Sequence, residues 1–365
     1  MYTTNSYKFL CGFLAFFSLL SSTTTLASDN AKAKLPPLPQ ASANNAVATL
    51  NIDDTQFVFS FMGLFDGKTH HDVHNKAWQL KIENDEPATW QAIPDVPSSL
   101  SLKGRLASVA VGVNDSVYLF GGYTVASDHS EISTPDVYKY NPITATYSAL
   151  SSMPVPVDDA VALVYQSRFI YLISGWHNDG NVNLVQIYDT KQNTWQQGSP
   201  FLGKPVFGHA GGIVDNVMVV CDGVSIVPHK NKRRSFGAET ACFRGKINKE
   251  TPSKIDWRVI EHPTKKSRYR MASAGDNDRK LIHFVGGSTN PYNYNGIGYD
   301  GKPAEPDNAI WSYDITNNSW SVGHSKNSTM DHRGLLNIKG TWYTVGGMKE
   351  NQTVTGATVP HITPN

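Results

Sequence analysis

One pattern of residues recurs along almost the whole chain and limits its fold more than any bulk property does. A polar residue opens an apolar run, and a short turn leads to a second apolar run ending in Gly or Gly-Gly. After a loop come an aromatic-rich run, another turn and a Trp or Tyr. The clearest copy reads Arg105-Leu-Ala-Ser-Val-Ala-Val, then Val117-Tyr-Leu-Phe-Gly-Gly122, then Asp136-Val-Tyr-Lys-Tyr-Asn141, then Tyr147. Further copies carry their glycine signal at Gly175, Gly223, Gly287 and Gly347, and a degenerate first copy has it at Gly63. The signals recur about every 50 to 60 residues, and a period of that size marks a unit that buries its faces only against neighbouring copies. The runs are short, β-branched and aromatic, and bounded by Gly, Asn and Asp, so they read as strands.

These residues resemble the kelch repeats. The resemblance implies an all-β fold, a six-bladed kelch-type β-propeller with one four-stranded blade per repeat, over residues 28–365 as a single domain. After Gly347 there is room for one clear strand at 354–361. The segment around residues 33–38 is therefore expected to supply the outer strand of the last blade, closing the ring through the two ends of the chain.

Antiparallel pairing within a blade puts the start of the innermost strand and the end of the second strand on one face. The longest loops, residues 63–76, 123–135, 224–239 and 288–307, leave from that face, and long loops on a rigid scaffold are where binding concentrates. Polar residues crowd the same points. Arg105, Asp158, Asp159, His209, Arg268, Arg270, Asp331, His332 and Arg333 open inner strands; Tyr123, Trp176, His177, Asp222, Asn290, Tyr292 and Tyr294 follow second strands. A funnel of Arg, Asp, His and aromatic rings suits an acidic or polyhydroxylated carbohydrate. Single residues of this set also serve as hydrogen-bonded struts between blades, and the repeated Trp and Tyr of the outer strands serve blade packing. The Asn/Tyr/Gly-rich segment 288–301 either lines the pocket or packs on itself. The basic stretch with Lys230, Lys232, Arg233 and Arg234 is either a solvated loop or an anion clamp.

Within the kelch propellers the plan resembles the periplasmic N-acetylneuraminate epimerases, which implies an acidic-sugar site and anomer interconversion by a general acid and base. That family is expected to carry an acid/base Glu directly after the glycine of the fourth repeat. This chain has Val224 there, so Asp222, Glu239 and His209 are the catalytic candidates, with Arg233 or Arg234 as the matching arginine. A non-catalytic module binding a protein or a glycan is the alternative. A copper-radical oxidase of the galactose oxidase kind is a third reading, but no His pair has convincing copper spacing: His70, His71 and His74 sit in one loop, and His209 and His332 are isolated. The group His70, His71, Asp72 and His74 is either a metal site or, as expected here, a solvated loop. No cofactor or metal is expected.

A net charge of +1 gives no broad nucleic-acid footprint. Lys8 and the apolar run 9–20 read as a signal peptide over residues 1–27, cleaved to leave no stable membrane anchor and a periplasmic or secreted protein. Beyond that segment two cysteines remain, Cys221 and Cys242. An even pair across one hairpin in an oxidising compartment is expected to form a disulfide.

Overall fold

The second run of each repeat becomes a strand covered on both faces, which is why it is apolar at nearly every position rather than alternating. Ser116–Phe120, Phe169–Ile173, Val217–Cys221 and Leu281–Val285 are buried throughout. A computed structural model describes residues 1–5, 35–83 and 88–364. By internal contacts the chain divides into Met1–Lys34 and Leu35–Asn365. Of the first unit only residues 1–5 are described, without regular structure. The rest of the expected signal segment, and residues 33 and 34, lie outside the described residues.

The second unit is a six-bladed kelch-type β-propeller of antiparallel sheets. Blade 1 comprises Ala46–Ile52, Thr55–Leu64, Val73–Ile82 and Trp90–Ile93 from the axis outward. Blades 2 to 5 repeat this order from inner strands Val109–Val113, Val161–Tyr165, Ala210–Val214 and Ala272–Asp276. Blade 6 pairs Leu336–Ile338, Thr341–Val345 and Thr358–His361. The inner strand of blade 1 touches those of blades 2 and 6, which closes the ring. Among the described residues there is no α-helix.

The last blade differs in detail from the expected four strands. Its ladder has three, and the N-terminal segment joins its outer side through Leu38 N–H donating to Gly356 O (2.7 Å) and Thr358 Oγ1 donating to Pro36 O (2.8 Å). Pro36 and Pro37 have no N–H, so this segment cannot extend a ladder. The two ends of the propeller nevertheless meet there, and the closure holds.

Each seam between blades has its own apolar core. Between blades 1 and 2, Phe57, Phe59 and Phe61 pack against Val117, Leu119 and Tyr140, with the Phe59 and Phe61 rings 5.6 Å apart. Blades 3 and 4 meet through Tyr171, Ile173 and Ile187 against Met218 and Val220. Fully burying one such side chain stabilises the fold by roughly 1.5–3 kcal/mol.

Two backbone positions repeat in every blade. The glycine signal is a pair of left-handed residues: Gly121 and Gly122 have φ of 57° and 89°, and Met62, Ser174 and Asp222 adopt the first of these conformations without being glycine. At the second position a Cβ on Gly122 would lie 2.0 Å from Ser108 Oγ, so glycine is required. The other repeated position precedes each inner strand, where Asn44, Ala107, Asp159, Gly208, Arg270 and Asp331 all have positive φ, from 52° to 69°. At three of them this turn aims the amide at the carbonyl of the preceding blade: Asp159 N–H donates to Ala107 O (3.0 Å), Gly208 N–H to Asp159 O (2.9 Å) and Arg270 N–H to Gly208 O (2.8 Å). The six residues form a crown around the axis.

Candidate functional site

Two of the four loops predicted to carry function, 123–135 and 224–239, are small hairpins, and a third hairpin stands over blade 3. Tyr123–Val125 pairs with Glu131–Ser133 over blade 2, Trp176–His177 with Gly180–Asn181 over blade 3, and Val224–Val227 with Ser235–Ala238 over blade 4. With residues 288–306 of blade 5 they surround a cavity of about 440 Å3 above the crown. A second cavity of about 430 Å3 lies along the axis, lined mainly by the Val, Ala and Gly of the inner strands. Asp159 borders both. The loop-face cavity carries the charged and aromatic groups that chemistry or recognition needs.

Its floor rests on a buried ionic quartet, of which Asp159 and Arg270 line the cavity. Asp159 accepts from Arg270 Nη2 at 2.6 Å and Nε at 3.1 Å, and from Tyr269 OH at 3.3 Å. Arg333 Nη2 lies 2.8 Å from the other Asp159 oxygen. Asp331 accepts from Arg270 Nη1 at 3.0 Å and lies 3.9 Å from Arg333. Burial alone would raise the Asp159 carboxyl, but Arg270 and Arg333 outweigh it and hold the group below its usual range. Burial works against the Arg270 charge too, and Asp159, Tyr269 and Asp331 overcome it. Tyr269 and Tyr292 lie against the Arg270 guanidinium, 4.7 and 5.4 Å from it.

The walls are aromatic. Trp176 packs on Phe207 and Phe236, with centroids 5.3 and 5.9 Å apart, and Phe236 lies 4.4 Å from Tyr299. Arg234 lies 5.1 Å from the Trp176 ring and bonds Asp179 O. Glu131 and Asp158 face the same space. Glu131 still meets solvent there, and crowding by the walls pushes its carboxyl up to about 7, with Asp159 adding to the push and Arg270 opposing it. Burial raises Asp158 well above the usual range although Ser133 Oγ donates to it at 2.6 Å.

Of the candidates read from the sequence, the structure gathers Asp159, Trp176, Arg233, Arg234, Arg270 and Tyr294 around this cavity. Tyr292 lies fully buried beneath it. Arg333 and His332 border the axial cavity instead.

Other candidates are placed in the framework. Arg105 is 1% exposed, donates to Pro97 O (2.8 Å) and Gly121 O (3.3 Å), and pairs with Asp136. His209 bonds Ile173 O across the seam (2.9 Å), and burial lowers its pKa to about 4. Asp222 is a strut, bonded to His262 Nε2 (2.8 Å) and accepting from Arg268 N–H (2.7 Å). Glu239 is held outside the cavity by Lys204 (2.8 Å) and Ser225 (2.6 Å). His177 Nδ1 bonds Pro156 O (2.7 Å), and Asn290 bonds Asp300 (3.1 Å) within its own loop. The loop 288–306 does both things expected of it: Asn293, Tyr294 and Tyr299 reach the cavity, while Asn290 packs locally.

Glu131, Ser133, Phe236 and Tyr299 are residues the sequence reading did not select. The signal for the first two was present: short apolar-polar alternation flanks the turn residues Asp128, His129 and Ser130, as in a hairpin. Cys221 and Cys242 form the expected disulfide, as directly paired residues with Cα atoms 4.2 Å apart at the base of the blade 4 hairpin. No group of three or more metal-ligating side chains converges among the described residues. Asp72 instead accepts from Thr69, and burial lowers the pKa of His74, bonded to Ser42, to about 3.

Comparison with known proteins agrees with this architecture. A family model described as the Kelch motif matches residues 104–154. Kelch-like protein 15 of Homo sapiens is 27% identical over 161 residues, covering 43% of this chain and 24% of that protein. N-acetylneuraminate epimerase of Salmonella typhi is 21% identical over 223 residues, covering 52% of this chain and 54% of that one. The matches thus span about a quarter of the first relative and about half of the second. A solved structure titled "Structure of YjhT" superposes with a TM-score of 0.69 at 16% identity, over 91% of this chain and 97% of that chain. The chain is a six-bladed kelch propeller, akin in plan to the N-acetylneuraminate epimerases.

Proposed function

We propose that the loop-face cavity binds an acidic sugar and catalyses exchange between its anomers. The observation that carries this reading is the joint presence in one cavity of a carboxyl pushed to about 7, Glu131, and of cationic and aromatic side chains. Arg233 and Arg234 at the rim suit the sugar carboxylate, and Trp176 and Tyr299 offer faces for the ring. Glu131, as carboxylate, takes the proton of the anomeric hydroxyl. The bond between the anomeric carbon and the ring oxygen breaks, and the ring oxygen takes a proton from Asp158 or water. Rotation of the resulting carbonyl and reversal of these steps give the other anomer, with no net change in atoms or electrons. A pKa near the working pH suits a group that must both accept and return a proton. We place the protein in a periplasm or outside the cell, a placement supported by the disulfide and by the signal-like residues 1–27.

A non-catalytic glycan-binding module is the second reading, favoured by Val224, which stands where the epimerase resemblance expects a glutamate. The test is magnetisation exchange between anomers of N-acetylneuraminate by NMR, beside a thermal-shift series of neutral and acidic sugars. Faster exchange with wild type and not with Glu131→Gln supports catalysis. Stabilisation by acidic sugars without faster exchange leaves the binding module. No shift with any sugar removes both.

A further inference from the structure

The blade 4 hairpin extends beyond the cavity it helps to wall. Its two strands, Val224–Val227 and Ser235–Ala238, are joined by a tip carrying Lys230, Lys232, Arg233 and Arg234. Four cations in five positions stand out in a chain whose net charge is only +1. Arg234 is committed inward, against the Trp176 ring and Asp179. Arg233 lines the cavity mouth and is exposed. Lys230 and Lys232 are exposed too, and among the described residues neither they nor Arg233 have an ion-pair partner. The nearby acids do not neutralise them: Asp179 pairs with Arg234 at 3.8 Å, and Glu239 is bonded to Lys204 and Ser225.

The tip is also held in place. The disulfide closes its base, and Phe236 on its return strand packs on Trp176 and Tyr299. His229 and Ser235 bond across it at 2.7 Å. Unpaired cations on an anchored hairpin form a positive surface that begins at the cavity mouth and runs outward.

We propose that this tip is a binding subsite for the further residues of an acidic oligosaccharide whose reducing-end ring occupies the cavity. The inference rests on the acidic-sugar reading and names its substrate class: a linear chain with one carboxylate per residue, rather than a free monosaccharide alone. A cavity of about 440 Å3 is near the small end of ligand pockets and holds little beyond one ring and its substituents. The next carboxylates therefore emerge at the mouth, where Arg233 stands, and continue past Lys232 and Lys230. Contacts between exposed charges are individually weak and strongly screened by salt. The tip thus adds affinity only for a chain long enough to meet several cations.

Calorimetric titration of the full protein with N-acetylneuraminate and with its α2,8-linked tetramer tests this. In about 0.1 M salt the tetramer is expected to bind roughly tenfold tighter, and the advantage is expected to vanish near 1 M salt, where the screening length falls to about 3 Å. Lys230→Gln with Lys232→Gln should remove the advantage and leave the monosaccharide affinity unchanged. Equal affinities for the two sugars in wild type, or an advantage that survives the double substitution, would overturn the subsite. Failure of both sugars to bind would instead remove the acidic-sugar reading, and the subsite with it. Vesicles containing phosphatidylglycerol provide the contrast: lysine-dependent binding to them, with no tetramer advantage, would assign the tip to an anionic lipid surface and overturn the proposal.

Discussion

Replacement of Asp159 by Ala removes the hub of the cavity floor, and its consequence can be worked from the contacts. Asp159 faces Arg270 through two nitrogens, at 2.6 and 3.1 Å, and Arg333 through a third, at 2.8 Å. Without it the two guanidiniums share Asp331 alone, which is 3.0 Å from one and 3.9 Å from the other. All four groups are at most 3% exposed at the side chain, so the guanidiniums left behind are poorly solvated. Breaking a buried pair from one side destabilises by roughly 3–5 kcal/mol, a large part of the ~5–15 kcal/mol typical of a whole fold. Urea unfolding followed by Trp fluorescence reads this directly. Asp159→Leu combined with Arg333→Met restores charge balance around the remaining Arg270–Asp331 pair and is expected to be less destabilised than Asp159→Leu alone. A loss under about 1 kcal/mol for Asp159→Ala, or a double variant worse than the single by the full cost of Arg333→Met, would refute the hub. The acid limb offers a second check. The Asp159 carboxyl is depressed in the folded state from its ordinary 3.8. Its contribution is therefore complete above that value and is lost as pH falls through the lower folded pKa. Asp159→Ala should flatten that part of the stability profile.

Three other outcomes are expected. Reducing Cys221–Cys242, which closes a loop of 21 residues, should destabilise the propeller by about 3 kcal/mol, and the unreduced protein should be two hydrogens lighter by intact mass. If Glu131 is the base of anomer exchange, the rate should rise through pH about 7 as its carboxyl ionises, and Glu131→Gln should give a flat, low profile at unchanged stability in urea. Arg105→Ala should destabilise by roughly 3–5 kcal/mol through the buried Asp136 left without its cation while leaving the sugar affinity of the folded fraction unchanged; a selective loss of affinity would place Arg105 in the site after all.

The propeller was legible because each blade repeats the same demand: a strand buried on both faces, closed by two left-handed residues. Val117 through Gly122 states that demand almost without ambiguity, and the pairing of Cys221 with Cys242 was legible too, since the two flank one hairpin. That the long loops surround a cavity on one face was legible from loop lengths. Individual roles were not, because Arg105 and Arg270 open equivalent strands. What separates them is register and partner: Arg105 lies two residues before the crown position and meets Asp136 of its own blade, whereas Arg270 takes the crown position and meets Asp159 of blade 3. Asp222 was misleading for a related reason: it takes the slot of a glycine-pair residue, and its carboxylate turns outward to His262. Glu131 was hidden because residues 123–135 read as a loop, whereas pairing of Val125 with Glu131 aims its side chain inward.

The crown above the inner strands also says how such a floor can vary. From Ala107 through Asp159 and Gly208 to Arg270 its handover of amide to carbonyl uses backbone alone, so these of the six positions behave as interchangeable sockets with a shared address, whereas the Ala107 amide leans on the Asn44 side chain. Here Asp159, Arg270 and Asp331 fill three of them with charge, while Asn44, Ala107 and Gly208 leave three neutral. The socket between Asp159 and Arg270 holds Gly208, where a Cβ would lie 1.9 Å from the Tyr269 ring. That missing side chain lets groups from two non-adjacent blades meet at 2.6 Å. A ring built this way can have its polarity rewritten one socket at a time while the barrel of inner strands beneath it stays as it is.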